Sequence, residues 1–226
     1  MHYRTKPPAG GFVILQSMKT MFIMGGIICV FLALWLGWTY YASGNLETPT
    51  YTVSESYDYF EVREYDPYLI VQVTVEGDFD EAINQGFRIL AGYIFGGNVS
   101  QESIKMTAPV TETESVKIEM TAPVTETGDG TSREVAFVVP SKFTLETLPI
   151  PNDDQIKFAE VPAKTIAAHQ FSFYAGAEKV ARKKEALLNV VIEAGLTPMA
   201  PPTFAAYNDP WSFPALRRNE VWVEVE

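Results

Sequence analysis

The chain has 226 residues with 17 Lys and Arg, 28 Asp and Glu, two His and one Cys, giving a formal net charge of −11, and its length suits one medium domain with an appendage. All the acidic residues lie from Glu47 onward, so residues 43–226 hold 14 basic against 28 acidic groups, a net of −14. A surface that acidic argues against nucleic-acid binding, because phosphate contacts need a basic face. The single Cys29 excludes a disulfide framework, a thiolate metal site and a cysteine nucleophile in the rest of the chain.

Residues 1–20 carry Arg4, Lys6 and Lys19 and read as a cytoplasmic segment. No charge falls between Thr20 and Leu46, and residues 21–41 supply the roughly 20 apolar residues that a transmembrane helix needs. Trp35, Trp38, Tyr40 and Tyr41 gather at the far end like an interfacial aromatic belt. With the basic residues before the span and Glu47 and Glu55 after it, the N-terminus is expected in the cytoplasm and the remainder exported, to a periplasm or the cell exterior. A signal peptide cleaved near Tyr41-Ala42-Ser43 is the alternative, although the apolar run exceeds the about 7–15 residues of a signal core. Residues 42–56 are polar and read as a linker.

The domain is expected over residues 57–226. Residues 57–65 and 68–76 look like strands broken by Asp66-Pro67, with Leu69, Val71, Val73 and Val75 alternating with Tyr68, Ile70, Gln72 and Thr74. A helix over 79–95 carries an apolar stripe of Phe79, Ile83, Phe87 and Leu90 to Ile94, stopped by Gly96-Gly97-Asn98. Next comes a doubled motif: Met106-Thr-Ala-Pro-Val-Thr-Glu-Thr113 recurs fourteen residues later as Met120-Thr-Ala-Pro-Val-Thr-Glu-Thr127. It offers no acid-base pair or activated nucleophile, so it suggests lining and shape. Strands follow at 133–140, 156–161 and 164–173, then a helix over 176–194 and a closing strand at 219–226.

The two halves of the domain correspond. Residues 64–71 align with 160–167 at an offset of 96, and each is followed by strand, helix, extended segment and strand. The expected fold is α+β: a duplicated β-β-α-β unit forming a distorted, mainly antiparallel β-barrel with two flanking helices, preceded by one transmembrane helix. An apolar ligand is expected between helix and concave sheet.

Three stretches resemble the SOUL, or haem-binding, protein family: Lys117-Ile-Glu-Met-Thr-Ala-Pro-Val124 with its twin, the Gly-Gly-Asn ahead of it, and Ala206-Tyr-Asn-Asp-Pro-Trp-Ser-Phe-Pro-Ala-Leu-Arg-Arg-Asn-Glu-Val-Trp-Val223. The resemblance implies a pseudo-symmetric barrel related in shape to GyrI-like effector-binding domains. It also implies non-covalent binding of haem or another tetrapyrrole without turnover. A protein-interaction module, or a carrier of another small apolar ligand, is the alternative on the same fold.

Haem needs an apolar slot, often an axial ligand, and partners for its propionates. His169, the one histidine of the domain, is a candidate iron ligand or a buried histidine bonded to a backbone carbonyl. Met106 and Met120 are candidate thioether ligands, pocket walls or core filler. Phe87, Arg88 and Tyr93 could present the edge of the first domain helix to a cleft. Arg217 and Arg218 could meet propionates or bridge to nearby carboxylates.

Overall fold

A computed structural model describes residues 10–44, 46–100, 115–129 and 132–226, and the side chains of these except 10–20 and 129. The first copy of the doubled motif, with Met106, lies outside the described residues.

Helix α1 runs Gly10–Gly44. Within it, Met21–Gly44 is long and apolar enough to cross a membrane, with a mean hydropathy of 2.2; nearly all of it is free of the domain, Thr39 being buried. Strand β1 (Tyr51–Ser56) follows inside the stretch expected to be linker. It pairs antiparallel with β2 (Glu61–Tyr65) and stays almost wholly exposed, so its polar sequence carries no dry-face signature. Strand β3 (Tyr68–Glu76) leads to α2 (Phe79–Ile94), then β4 (Asn98–Val99), β5 (Val124–Asp129) and β6 (Ser132–Val138). The second half holds β7 (Ile150–Pro151), β8 (Lys157–Val161), β9 (Lys164–Phe171), α3 (Ala177–Glu193), β10 (Thr203–Ala206), a 3-10 turn (Pro214–Leu216) and β11 (Asn219–Glu224).

Nine strands form one curled antiparallel half-barrel in the order β1-β2-β9-β11-β10-β5-β6-β3-β8, and β4 and β7 pair separately. Omitting β1, exchanging β2, β3, β5, β6 for β8, β9, β10, β11 reverses that order onto itself. The duplication is therefore a twofold written into the sheet. Each half contributes a strand to the other's edge, β2 beside β9 and β8 beside β3. Each repeat is β-β-α-β-β, one strand longer than expected, because β5 and β10 precede the anticipated closing strands. Strand β10 escapes pattern reading because it is four residues following Pro201-Pro202.

Both domain helices lie on one face of the sheet. Asp78 caps α2 by accepting from the Glu81 N–H at 2.9 Å, and Asp80 and Glu81 sit favourably against the helix N-terminus. Ala82, Leu90, Tyr93 and Ile94 pack on Val71, Val73, Val135 and Phe137. Val180, Leu187 and Val191 of α3 pack on Ala167, Phe171, Phe204, Val221 and Val223. Each such fully buried aliphatic or Phe side chain contributes about 1.5–3 kcal/mol of transfer free energy. Gly86 brings α2 close to the sheet, since a Cβ there would lie 2.6 Å from Val135.

The Gly-Gly-Asn that ends α2 has three separate tasks. Gly96 takes φ +118°, and a Cβ on Gly97 would stand 2.7 Å from the Gly92 carbonyl oxygen. Asn98 donates through Nδ2 to the carbonyls of Tyr93 (2.7 Å) and Val116 (2.8 Å), while its Oδ1 accepts from the Val116 N–H (2.8 Å). One buried amide thus terminates the helix and fixes the return of the chain ahead of the second motif copy.

Candidate functional site

Strand alternation sends Val71, Val73, Val135, Phe137, Ala167 and Val221 toward the helices, and their neighbours in sequence toward the other, helix-free face. Between α2 and the sheet the remaining space is only about 10 Å³. The expected ligand space between helix and sheet is therefore filled, because Leu90, Tyr93, Leu148 and Phe137 meet there. A cavity of about 210 Å³ lies on the helix-free concave face. Its walls include Tyr68, Ile70, Ala136, Val138, Ile166 and Trp222, with Thr125, Thr127, Thr203, Glu134, Lys164 and Glu224 adding polar groups. Lys164 Nζ lies 3.9 Å from Glu224, and burial lowers the lysine pKa against the opposing pull of that carboxylate.

The same face carries a buried charge network around Glu220, which is fully buried. Its carboxylate accepts from Arg63 (2.9 Å), Tyr207 (3.1 Å) and Trp222 Nε1 (2.6 Å) on one oxygen, and from Arg218 (2.8 Å) on the other. Burial pushes its pKa up, but Arg218 and Arg63 outweigh this and hold it below the ordinary carboxylate range. Burial and the Glu220 charge raise the Tyr207 pKa far above its ordinary value. Arg63 also holds Glu61 at 2.9 Å and lies over the Tyr51 ring at 4.7 Å. Strands β2 and β11 bring Arg63 and Glu220 together across 157 positions of sequence through β9, a meeting that no local pattern announces.

The residues singled out in the sequence fall in separate places. His169 is on the helix side of β9, stacked on Tyr59 with ring centroids 3.9 Å apart. Its Nδ1 lies 2.6 Å from the Tyr59 carbonyl and its Nε2 3.0 Å from Lys183 Nζ. Nδ1–H donates and Nε2 accepts, so the ring is neutral and neither nitrogen is open to a metal. Burial lowers its pKa, the Tyr59 carbonyl opposes this, and Lys183 lowers it further. Tyr93 faces the core rather than a cleft: it shares the stripe of Leu90 and Ile94, and its hydroxyl donates to the Pro149 carbonyl at 2.8 Å. Met120 and Phe87 are half-buried against the same core, Phe87 with its ring 5.4 Å from Phe137. Arg88 is exposed on α2. Arg218 is tied to Glu220 and to the Tyr207 ring at 3.8 Å, and Arg217 to the carbonyls of Ser212 and Pro210. Among the described residues, no three His, Cys, Asp or Glu side chains gather in a metal-ligating group.

A twofold-duplicated antiparallel half-barrel with helices on one face and a cleft on the other defines the class of the fold. The solved C-terminal domain of EcmrR shares it with a TM-score of 0.53 at 15% identity, over 78% of this chain and 98% of that one. The family described as SOUL heme-binding protein matches residues 46–224, and the chain belongs to that family. Heme-binding protein 2 of Mus musculus is 29% identical over 184 residues, covering 79% of this chain and 85% of its own length. Heme-binding protein 1 of Sus scrofa is 31% identical over 149 residues, covering 64% and 71%. The matched region starts at residue 46, which agrees with β1 belonging to the sheet.

Proposed function

We propose that this protein is a membrane-anchored SOUL protein that binds haem or another tetrapyrrole non-covalently and without turnover. The family match over residues 46–224 together with relatives named for haem binding carries the reading. Residues 21–41 serve as the anchor, residues 1–20 stay cytoplasmic, and the domain is exported. The span's length and the basic residues on its N-terminal side alone support this arrangement. The absence of turnover is supported by the saturation of the two groups best suited to proton transfer. Glu220 is taken by four donors, and both nitrogens of His169 are engaged.

The concave cavity, at about 210 Å³, is below the roughly 300–1,000 Å³ of drug-sized ligand pockets, and a tetrapyrrole is larger still. We therefore assign the macrocycle to the open edge of α2, where Phe87 and Met120 offer apolar surface and Arg88 an exposed cation for a propionate. Titrating the full-length chain in detergent with haemin tests this through the Soret band. A saturable shift at micromolar haemin, weakened by Arg88→Glu and unchanged by His169→Ala, is expected. No saturable shift would remove the haem reading.

A second reading, a carrier of a smaller ligand, is favoured by the concave cavity with Trp222, Tyr68 and the Lys164–Glu224 pair. Ala136→Trp would fill that cavity. Loss of haemin binding in this variant would move the tetrapyrrole to the concave face, and retention would keep it on α2.

A further inference from the structure

The loop between β10 and β11 forms a surface that the tetrapyrrole reading leaves unused. Trp211 is 78% exposed and Leu216 51%, and beside them Phe173 and Tyr174 are 57% and 60% exposed. The two segments are tied together: the Phe173 N–H donates to the Pro214 carbonyl at 2.9 Å, and the Arg217 guanidinium lies 4.5 Å over the Tyr174 ring. Phe173 has φ +71°, a region that bulky residues avoid. It is held there from both sides, since Asn219 Nδ2 also donates to its carbonyl at 2.8 Å. An exposed aromatic ring is thus fixed in place at a backbone cost of about 1–2 kcal/mol. Arg217 and Lys179 make this corner locally basic on an otherwise acidic domain, with Asp209 the acid of the loop, occupied by the Trp211 N–H at 2.6 Å.

The same loop grips the end of α1. Trp35 Nε1 donates to the Trp211 carbonyl at 2.7 Å, and the Trp35 and Phe213 rings meet edge-on at 4.9 Å. The Phe213 N–H donates to Thr39 Oγ1 at 2.8 Å, and Asn208 Nδ2 to Ser43 Oγ at 2.6 Å. Trp35 to Ser43 is about 12 Å of helix at 1.5 Å per residue. The apolar span, Met21–Gly44 with 24 residues, is about 36 Å long against a hydrocarbon core of about 30 Å. The last turn therefore stands in the headgroup region, with Thr39 and Trp35 in the upper acyl layer beneath it. An open wedge of about 490 Å³ remains between Thr39, Tyr40, Tyr41, Ser43 and Leu216.

We propose that the 207–217 loop, with Phe173 and Tyr174, is a lipid-docking surface that seats the domain on the outer bilayer interface. This rests on α1 being the membrane anchor. The occupant is the headgroup and upper acyl region of the leaflet around α1. Trp, Tyr and Arg are the side chains whose apolar bodies and polar tips suit that layer. The tether from Trp35 to Ser43 brings the patch to this layer rather than to bulk solvent. The domain then rides in one attitude instead of swinging on a linker.

The test uses the full-length chain in nanodiscs, with Cys29→Ser and one new cysteine carrying an environment-sensitive nitrobenzoxadiazole label. One variant is Leu216→Cys. The other is Met199→Cys, equally exposed but beside Glu224 at the far end of β11. Lipids spin-labelled high on the acyl chain are expected to quench the label at 216 severalfold more than at 199, and adding Trp211→Ser is expected to narrow the difference. Equal quenching at 216 and 199 in a chain that co-elutes with nanodiscs would overturn the docking surface alone. A chain that does not co-elute with nanodiscs would overturn the anchor and the docking surface together.

Discussion

Removing the Glu220 carboxylate should be among the most damaging single changes in the domain. The side chains of Arg63 and Glu220 are 4% and 0% exposed and 2.9 Å apart. Glu220→Ala strands the Arg63 guanidinium and leaves Tyr207 and Trp222 without their acceptor. Breaking a buried pair from one side costs about 3–5 kcal/mol. Glu61, partly exposed and also on Arg63, places this case near the lower end. For a domain of this size that is roughly 6–20 °C in Tm. Arg63→Met should cost less than Glu220→Ala, because Arg218 still neutralises the carboxylate at 2.7 Å. The double variant should be more stable than the sum of the two losses predicts. The assay is denaturant unfolding of the full-length chain in detergent, followed by circular dichroism of the sheet. The pH dependence has a fixed sign: the folded pKa of Glu220 is depressed, so its stabilisation is present above the ordinary carboxylate range and lost as pH falls through the depressed value. A Glu220→Ala loss under about 1 kcal/mol would refute the claim that this network is a buried ionic one.

Three further outcomes are expected. Gly86→Ala forces a Cβ to 2.6 Å from Val135 and should destabilise by about 1–3 kcal/mol through overpacking, read as a lowered Tm. Asn98→Ala removes the acceptor of the Val116 N–H and a donor to each of the Tyr93 and Val116 carbonyls at the end of α2, and should cost about 1–3 kcal/mol, with faster amide exchange at Val116. His169 has a folded pKa below its ordinary value, so the unfolded chain binds the extra proton first and stability falls as pH drops below about 6.5. His169→Phe should flatten that limb in unfolding midpoints measured across the window, whereas an unaltered slope would show that the imidazole is not buried in neutral form.

Much of the fold is legible because period-2 alternation in residues 68–76, the apolar stripe of α2 and the offset of 96 are each local patterns. Where the pattern is absent, the reading stops. Strand β1 has no dry face, and β10 is too short to show alternation. The side of the cavity is not legible, because alternation says that a strand has two faces but not which face the helices take. Size settles it: Leu90, Tyr93 and Phe137 fill the helix side, whereas Ala136, Thr125 and Thr127 are small enough to leave a hollow on the other side. Alternation along β9 puts His169 on the face of Ala167 and Phe171, the face that packs on α3. Its partners, Tyr59 and Lys183, come from elsewhere in the sequence and could not be read from it.

The palindromic sheet explains why one doubling carries architecture and the other does not. Exchange of the halves maps β5 onto β10 and β6 onto β11, so the central seam of the sheet is the β5–β10 pair, with Ala205 opposite Thr125. The second Met-Thr-Ala-Pro-Val copy runs directly into β5, and its Thr125 and Thr127 line the cavity, with Thr127 bonded to Thr203 across the seam at 2.8 Å. That copy is therefore fixed by the twofold of the fold. The twofold pairs this entry to the seam with the entry to β10, where Ala200-Pro201-Pro202 stands, so the motif's partner by symmetry is a different sequence. The fourteen-residue echo has no counterpart in the second half, which makes it an insertion on one side of a symmetric frame rather than part of the frame.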